Sequence, residues 1–284
     1  MALELLRTSL QARAWREAAT GRVGVVPTMG YLHAGHQRLI SCARERVGES
    51  GQVIVTVFVN PAQFDRREDL EAYPRDEARD CAAAEAAGAD AVFIPRAPTE
   101  LYPAGAETWV EVKRLDARLC GATRPGHFRG VCTVLSKFWG LLRPDVSVYG
   151  EKDYQQLAIV RRLHRDLFLS GEVVGVPTVR EADGLALSSR NARLTTPGRR
   201  AAVAVPRYLA AVRARFDRGV RDRSGLLGAF EAALAPGRPD YVDLVDADSL
   251  DAVDHVARPA VCALAVFFDG VRLIDNVVLD PAAS

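Results

Sequence analysis

Two histidines lie three residues apart in the stretch VPTMGYLHAGH, which ends at His36. The stretch separates a β-branched run from a helical pattern, and Gly35 stands between His33 and His36. A glycine lets a phosphate approach the backbone where a helix begins, and the N–H groups there attract anions. Two imidazoles on the same loop can also donate to phosphate oxygens. The stretch therefore predicts a phosphate contact at a helix N-terminus.

Two other interpretations of the histidine pair stay open from the residues alone. A zinc site would need a third ligand, and the sequence shows no HExxH motif and no obvious cysteine or aspartate partner nearby. The pair can also belong to an ordinary helix start with incidental polar residues.

Three further polar clusters follow strand-like runs, namely Asn60–Phe64, Gly150–Gln156 and Ser188–Asn191. In open α/β sheets ligands bind at the carboxyl ends of the strands, so we expect these clusters to converge with the histidine stretch. Lys152, one of only three lysines, can act as a point charge on a phosphate. The alternative is a solvated strand-to-helix turn with Asp153 as its N-cap.

Three more segments have polar compositions with less specific meaning. The LSSRN segment (187–191) offers two hydroxyls and an arginine, and the GHFRG segment (126–130) precedes a helical pattern, where it can supply anion contacts. Each is equally well an ordinary polar loop. The charged, turn-rich stretch 64–75 has the composition of a mobile surface loop, for which a lid is one interpretation.

The runs that must position these clusters alternate between strand and helix up to about residue 180. Such alternation predicts right-handed βαβ units and a parallel, doubly wound sheet. The amino-terminal 21 residues form an amphipathic pattern with interleaved arginine and glutamate. The predicted strands are 23–28, 52–59, 89–95, 145–150 and 171–179, and the predicted helices are 35–47, 75–88, 130–144 and 154–168.

The pattern changes after about residue 180. The stretch EADGLALSSRNARL has no clean period and predicts a functional loop. Helical patterns follow at 197–219, where Pro206 should kink or restart the helix, and at 223–235. Strand-like runs cover 240–247 and 260–279, and the Asp269–Gly270 pair inside the second run predicts a tight hairpin. These elements predict a smaller α+β domain.

Composition excludes several classes of protein. The 284 residues carry a net charge of +1, so no global field recruits nucleic acid or an anionic membrane. No apolar run approaches the ~20 residues that a membrane span needs. The five cysteines are scattered and never form CxxC, which argues against a disulfide framework. With no signal-peptide pattern apparent, we expect a cytoplasmic protein.

Several motifs together resemble those of the pantothenate synthetase (pantoate–β-alanine ligase) family. VPTMGYLHAGH, FVNPAQF, EDLEAYPR, GHFRGV, YGEKDYQQL and VREADGLALSSRN occur in that family's order and spacing. The resemblance covers about residues 20 to 195, and the last ~90 residues match by length and by the closing LIDNV. The HxGH pair is also similar to the signature of the wider nucleotidylyltransferase superfamily, which has a Rossmann-like fold.

The resemblance implies a fold, a reaction and partners. It implies a Rossmann-like domain over 1–178 that binds nucleotide and pantoate, and a smaller α+β domain over 179–284 that closes over the ATP site. The implied reaction is ATP-dependent condensation of (R)-pantoate with β-alanine through pantoyl adenylate. Pyrophosphate and AMP would be released. Mg²⁺ would accompany ATP without a dedicated protein metal site, and the enzyme would be a homodimer.

The resemblance also implies roles for individual residues. The catalytic residues would be His36, in the proton-donor position, together with His33 and Lys152. Pantoate and β-alanine would be bound by Gln63, Gln156, Asn60 and Arg124. The ATP-binding residues would be Met29, Gly30, His33, Gly35, His36, Gly150, Glu151, Lys152, Asp153, Val179, Leu187, Ser188, Ser189 and Arg190.

The chain departs from the family pattern at few places. Tyr149 stands where the family commonly has Phe, Leu187 where some members have Met, and Pro206 is less usual. Two other functions are weighed against the ligase. A nucleotidylyltransferase would pass AMP to a phosphate, for which Arg or Lys would suit better than Gln63 and Gln156. A non-catalytic nucleotide-binding module would need neither Lys152 nor the histidine pair.

Overall fold

The computed structural model describes residues 2–65 and 67–283. Within them a six-stranded parallel sheet occupies the amino-terminal part of the chain, and a three-stranded antiparallel sheet lies near its end. Arg66, which belongs to the predicted 64–75 loop, lies outside the described residues. Of the helices that the structure describes, none combines the length and apolar character needed to cross a bilayer.

The parallel sheet has the strand order β1-β4-β3-β2-β5-β6. Its central strands are rich in valine and isoleucine because both of their faces are covered. The strands are β1 (Glu4–Leu6), β2 (Val23–Thr28), β3 (Gln52–Val57), β4 (Ala91–Phe93), β5 (Val146–Gly150) and β6 (Glu172–Val176).

Helices alternate with these strands, as the sequence pattern predicts. Thr8 caps the first helix in a reciprocal capping box with Gln11. The helices in this part of the chain are α1 (Ser9–Ala18), α2 (Ala34–Val47), α3 (Arg67–Glu71), α4 (Glu77–Ala86), α5 (Leu119–Thr123), α6 (His127–Leu142) and α7 (Tyr154–Asp166).

The strand order reverses between β2 and β5. From β2 the chain adds β3 and β4 on one side, and it later adds β5 and β6 on the other. In doubly wound sheets ligands bind outside the carboxyl ends of the strands at such a switch point. The predicted doubly wound sheet is confirmed, and its topology points to the segments that follow β2 and β5.

The strand β1 was not predicted, because the sequence analysis treats the amino-terminal 21 residues only as one amphipathic pattern. Residues 4–6 instead pair in parallel with β4 at the edge of the sheet. Glu4 donates to the carbonyl of Asp90 at 2.9 Å, and Leu6 accepts from the backbone N–H of Ile94 at 2.9 Å. Pairing with a strand far along the chain overrides the local pattern, which only α1 follows.

The carboxyl-terminal part confirms the predicted α+β class, although the predicted helix 223–235 is divided at Gly228 into two short helices. Asp269 and Gly270 both have positive φ, 49° and 77°, as a two-residue type I′ hairpin requires. Pro206 restarts the helix, since it lies in the first turn of α9, where its missing N–H breaks no intrahelical bond. The elements are α8 (Thr196–Ala201), α9 (Ala204–Asp217), α10 (Arg223–Leu227), α11 (Phe230–Leu234), β7 (Arg238–Asp246), β8 (Ala260–Phe268) and β9 (Val271–Leu279).

The described residues form two compact units. Unit 1 comprises those within Met1–Lys113, Arg124–Glu151 and Ile159–Pro177. Unit 2 comprises those within Arg114–Thr123, Lys152–Ala158 and Thr178–Ser284. Two inner segments thus group with the carboxyl-terminal residues, whereas the sequence predicts one boundary at 178/179.

Side-chain contacts explain why the inner segments belong to unit 2. Gln155 accepts from the backbone N–H of Cys120 at 3.0 Å and donates to the carbonyl of Leu115 at 2.8 Å. The hydroxyl of Tyr154 donates to the carbonyl of Ala247 at 2.9 Å, just beyond β7. Tyr241 on β7 lies 3.2 Å from the Cys120 thiol. Both inner segments are therefore held by the residues of the antiparallel sheet and by each other.

Candidate active site

The histidine pair caps the helix that follows β2. His33 is the N-cap of α2, and its Nδ1 accepts from the backbone N–H of Gly35 at 3.1 Å. The Nδ1 of His36 accepts in turn from the backbone N–H of His33 at 3.3 Å. An imidazole nitrogen that accepts a hydrogen bond carries no proton, so each ring carries its proton on Nε2. The capping box thus creates two imidazole N–H donors at one helix N-terminus, where the helix dipole favours anions.

A buried aspartate on α4 fixes the backbone just before the histidines. Asp80 is 2% exposed and accepts from the backbone N–H groups of Tyr31 at 2.9 Å and Leu32 at 2.6 Å. Burial raises the pKa of Asp80, and these two hydrogen bonds act in the opposite direction. At Gly30, with φ of +87°, a Cβ atom would lie 2.8 Å from the Asp80 carboxylate and 2.9 Å from Val57. The carboxylate therefore approaches this turn closely only because residue 30 is glycine.

Sequence reasoning missed Asp80, which we treated as part of an ordinary helix. The available signal was its position four residues before Ala84, on the buried face of α4. A carboxylate on an apolar helix face needs buried hydrogen-bond partners.

Replacing Asp80 by alanine should destabilise the protein and loosen the histidine turn. The change leaves the backbone N–H groups of Tyr31 and Leu32 without their acceptor, which costs about 1–3 kcal/mol for an unsatisfied buried group. Urea denaturation of Asp80→Ala, beside Glu49→Ala as an exposed carboxylate control, measures the change. Equal unfolding midpoints for the two variants would contradict the role given to Asp80.

The segment after β3 carries a buried pair of amides. Asn60 is 1% exposed and donates from Nδ2 to Oε1 of Gln63 at 3.0 Å and to the carbonyl of Gly130 at 3.1 Å. Gln63 then directs its Nε2 toward the Met29 sulfur at 3.0 Å. A thioether is a weak acceptor, so a ligand oxygen can replace it with a gain in hydrogen-bond strength. The segments after β2 and β3 therefore meet at Met29 and Gln63.

The GHFRG segment holds the backbone of Gln63. His127 Nδ1 lies 2.7 Å from the Gln63 carbonyl, and Arg124 donates to the same oxygen at 3.2 Å. Arg124 also pairs with Asp65 at 3.2 Å. At Gly130 a Cβ would lie 2.2 Å from the Ala62 carbonyl, so only glycine lets α6 approach the segment this closely. Sequence reasoning gave His127 no specific role, although it starts α6 beside the predicted Arg124.

The cluster after β5 begins in unit 1 and continues into unit 2. Gly150 ends β5 and Glu151 starts a short 3-10 turn that reaches Asp153. The Lys152 side chain is 16% exposed, and its Nζ lies 3.7 Å from the Asp153 carboxylate. Gln156 is half-buried in the first turn of α7. Lys152 thus extends from the short turn that directly follows β5 in the chain.

The loop after β6 folds back on itself within unit 2. Leu187 donates to the carbonyl of Val179 at 2.9 Å, and Arg180 and Ala186 form an isolated antiparallel bridge. Ser188 then caps the 3-10 turn Ser189–Arg193 by accepting from the backbone N–H of Arg190 at 3.2 Å. The structure therefore brings Val179 next to Leu187, and Leu187–Arg190 are all half-buried.

Comparisons with known proteins identify the family. The model of the family described as Pantoate-beta-alanine ligase matches residues 4–278. The chain belongs to the pantoate-β-alanine ligase family. The family resemblance seen in the sequence is thereby confirmed, and the chain is an enzyme of the ligase class.

Relatives in the pantoate-β-alanine ligase family match over nearly their full length. A pantothenate synthetase of Solidesulfovibrio magneticus is 52% identical over 274 residues, covering 95% of each chain. One of Myxococcus xanthus is 47% identical and covers 98% of this chain and 97% of the relative. The pantothenate synthetase of Thermus thermophilus superposes with a TM-score of 0.91 at 44% identity, covering 98% and 100% of the two chains.

A further structure of the pantoate-β-alanine ligase family was determined with ligands. The ligase of Francisella tularensis, complexed with β-γ ATP and β-alanine, has a TM-score of 0.79 at 30% identity. The superposition covers 98% of this chain and 98% of the Francisella tularensis chain. The Rossmann-like sheet with a small antiparallel carboxyl-terminal sheet is therefore the fold of this family.

Proposed function

We propose that the chain joins (R)-pantoate to β-alanine in two steps and uses ATP to activate pantoate. A pantoate carboxylate oxygen attacks the α-phosphorus of ATP in line, the bond to the bridging oxygen breaks, and pyrophosphate leaves. The β-alanine amine then attacks the acyl carbon of pantoyl adenylate, loses a proton, and AMP leaves. No protein nucleophile is required, so catalysis consists of positioning and charge stabilisation.

The reciprocal capping of α2 by His33 and His36 is the observation that carries this proposal. It fixes the ring protons on Nε2 at a helix N-terminus beside the switch point of the sheet. Phosphate oxygens accept only, so a pair of N–H donors suits them. The Francisella tularensis relative in complex with β-γ ATP and β-alanine supports the same substrates here.

We assign the nucleotide contacts residue by residue. His33 and His36 donate hydrogen bonds from Nε2 to the phosphates, and Lys152 neutralises the charge that develops as pyrophosphate separates. Ser188 and Arg190 reach the β- and γ-phosphates. The remaining nucleotide contacts are assigned to Met29, Gly30, Gly35, Gly150, Glu151, Asp153, Val179, Leu187 and Ser189.

Pantoate is assigned to the amides. Gln63 and Gln156 bond its hydroxyl and carboxylate oxygens, and a neutral amide does so without pairing so tightly that nucleophilicity is lost. Asn60 orients the Gln63 amide. Arg124 contacts the Gln63 carbonyl, which supports a role in pantoate and β-alanine binding through that backbone.

Magnesium is proposed to enter with ATP. Within residues 2–65 and 67–283, no group of three or more His, Cys, Asp or Glu side chains could hold a metal ion. The side chains present therefore do not fit an all-protein magnesium site, and we derive no step through the ion. Mg²⁺ commonly keeps waters and binds through substrate phosphates, which is the arrangement we propose.

A cytoplasmic location and a homodimeric state are also proposed. The five cysteines are scattered along the sequence and never form CxxC, which supports a reducing compartment. Light scattering on the purified chain measures the oligomeric state directly, and a mass of 30.8 kDa would contradict the dimer.

Replacing Gln63 by alanine should weaken pantoate binding selectively. Loss of one hydrogen bond to a substrate oxygen costs about 1 kcal/mol, so the KM for pantoate should rise about 5- to 10-fold. The KM for ATP should change less. Steady-state kinetics compare this variant with Gln37→Ala, which removes an amide bonded to the Ala83 carbonyl elsewhere in unit 1. Equal increases in both KM values would contradict the assignment.

Pyrophosphate release tests the proposed reaction as a whole. With ATP and pantoate, the enzyme should release about one equivalent of pyrophosphate in a burst, and adding β-alanine should make release continuous. Bound ATP without pyrophosphate in either case would favour a non-catalytic nucleotide-binding module. Continuous release with a phosphate acceptor and none with pantoate would favour a nucleotidylyltransferase.

A further inference from the structure

Two adjacent polar residues lie buried on the edge strand β9. Asp275 is 2% exposed and Asn276 is 9% exposed, while their neighbours Leu273 and Leu279 belong to the apolar core of unit 2. Burying a carboxylate and an amide is unfavourable unless their hydrogen bonds are satisfied. Successive side chains of a strand point to opposite faces, so the two residues contact different segments from one strand.

Asp275 holds the base of the loop that carries Val179 and Arg190. Arg180 donates two hydrogen bonds to its carboxylate, at 2.6 Å and 3.1 Å. The same guanidinium donates to the carbonyl of Gly184 at 3.1 Å, inside the loop. A bidentate pair fixes direction as well as distance. The Asp275 carboxylate thereby fixes the loop at Arg180, the residue that follows Val179.

Asn276 holds the turn from which Lys152 extends. Its Nδ2 donates to the carbonyl of Lys152 at 3.0 Å, across 124 positions of sequence. Its backbone N–H donates to the Asp275 carboxylate at 2.8 Å, which links the two contacts. The backbone of Lys152 and the base of the Val179–Arg190 loop are thus both held by two adjacent residues of β9.

We propose that Asp275 and Asn276 are positioning residues that keep Lys152 and the Val179–Arg190 loop at a fixed separation. This inference rests on the proposed function, because it takes Lys152 as the phosphate-neutralising group. A rigid strand between the two attachments lets both segments approach one nucleotide without a search through loop conformations. Asn276 acts through Lys152, and Asp275 acts through Arg180.

A double-mutant cycle tests the role of Asn276. Alone, Asn276→Asp should lower the rate of pyrophosphate release about 10-fold, because the change removes the donor and places a carboxylate against the Lys152 carbonyl. In a Lys152→Ala background the same change should have less than about a 2-fold effect, because the group it positions is absent. Val278→Ala is the control, because Val278 lies on the same face of β9 as Asn276. It should change the rate of pyrophosphate release by the same factor with and without Lys152.

The outcomes separate this inference from the proposed function. A loss of about 10-fold from Asn276→Asp in both backgrounds would overturn the positioning role while leaving Lys152 in place. If Lys152→Ala alone releases pyrophosphate normally, the proposed role of Lys152 fails first. Asn276→Ser serves as a smaller change where the aspartate variant does not fold. The shorter serine side chain moves the donor away from the Lys152 carbonyl. An unchanged rate of pyrophosphate release for Asn276→Ser would therefore also contradict the inference.

A second variant tests the loop attachment separately. Asp275→Asn keeps the shape of the side chain but replaces one acceptor oxygen of the Arg180 pair by an amide group. We expect the KM for ATP to rise about 10-fold with the KM for pantoate unchanged, since the loop is assigned to the nucleotide. Equal changes in both constants, or a change in kcat alone, would contradict this part of the inference.

Discussion

Lys152→Ala should lower both half-reactions, each by about 10²- to 10³-fold, the range seen when one preorganised charge-stabilising group is removed. The nucleotide keeps its negative charge from ATP through pantoyl adenylate to AMP, so the ammonium group is needed in both steps. The side chain is 16% exposed, which limits how well water can replace it. Pyrophosphate release measures the first step, and transfer of isolated pantoyl adenylate to β-alanine measures the second.

The chain offers a matched control for this variant. Lys113 is 84% exposed and pairs only loosely with Glu111 at 3.9 Å. Lys113→Ala removes the same charge from the chain and should leave both rates near the wild-type values. Normal adenylation by Lys152→Ala would contradict the proposed role of Lys152 and would show that other residues neutralise the phosphate charge.

His36→Ala should lower adenylation by about 10²-fold or more while the fold is retained. The variant loses the Nε2–H donor, and it also loses the Nδ1 acceptor of the His33 backbone N–H. The lost acceptor affects only the start of α2, so the unfolding free energy should fall by roughly 1 kcal/mol. A stopped-flow assay of pyrophosphate release separates the catalytic loss from this small loss of stability.

Two further variants sharpen the test of His36. His255→Ala removes an exposed histidine of unit 2 and should leave adenylation unchanged. His36→Asn keeps a capping side chain, so its stability should return to near the wild-type value while adenylation stays low. Turnover close to that of the wild type in His36→Ala would contradict the proposed role of His36 as a hydrogen-bond donor to the phosphates.

The elements that depend on residues close together in the chain could be predicted from the sequence. The valine-rich β2 and β3, the helix that begins after His33, and the Asp269–Gly270 hairpin all follow from periodicity and turn chemistry. The edge strand β1 could not, because its three residues become a strand only by pairing with the distant β4.

The same limit applies to the candidate site. The residues whose types suggest chemistry, such as His36, Lys152 and Gln63, could be selected from the sequence and from the family resemblance. The residues that orient them could not. Asp80 contacts a turn 48 residues away, and Asn276 contacts a carbonyl 124 residues away. A local pattern can place such a side chain on a buried face, as for Asp80, but it does not identify the distant backbone group that the side chain contacts.

The interleaved composition of unit 2 has a consequence for how this gene can be recombined. The residues of Arg114–Thr123 and Lys152–Ala158 group with the carboxyl-terminal residues, although they are encoded inside the amino-terminal part. A chimera joined at residue 178 would therefore combine Cys120 and Tyr154 of one parent with the β7 and β8 surroundings of another. Exchange of unit 2 between relatives should succeed only where all three of its segments come from the same parent. The carboxyl-terminal residues alone therefore cannot be transferred as an independent domain.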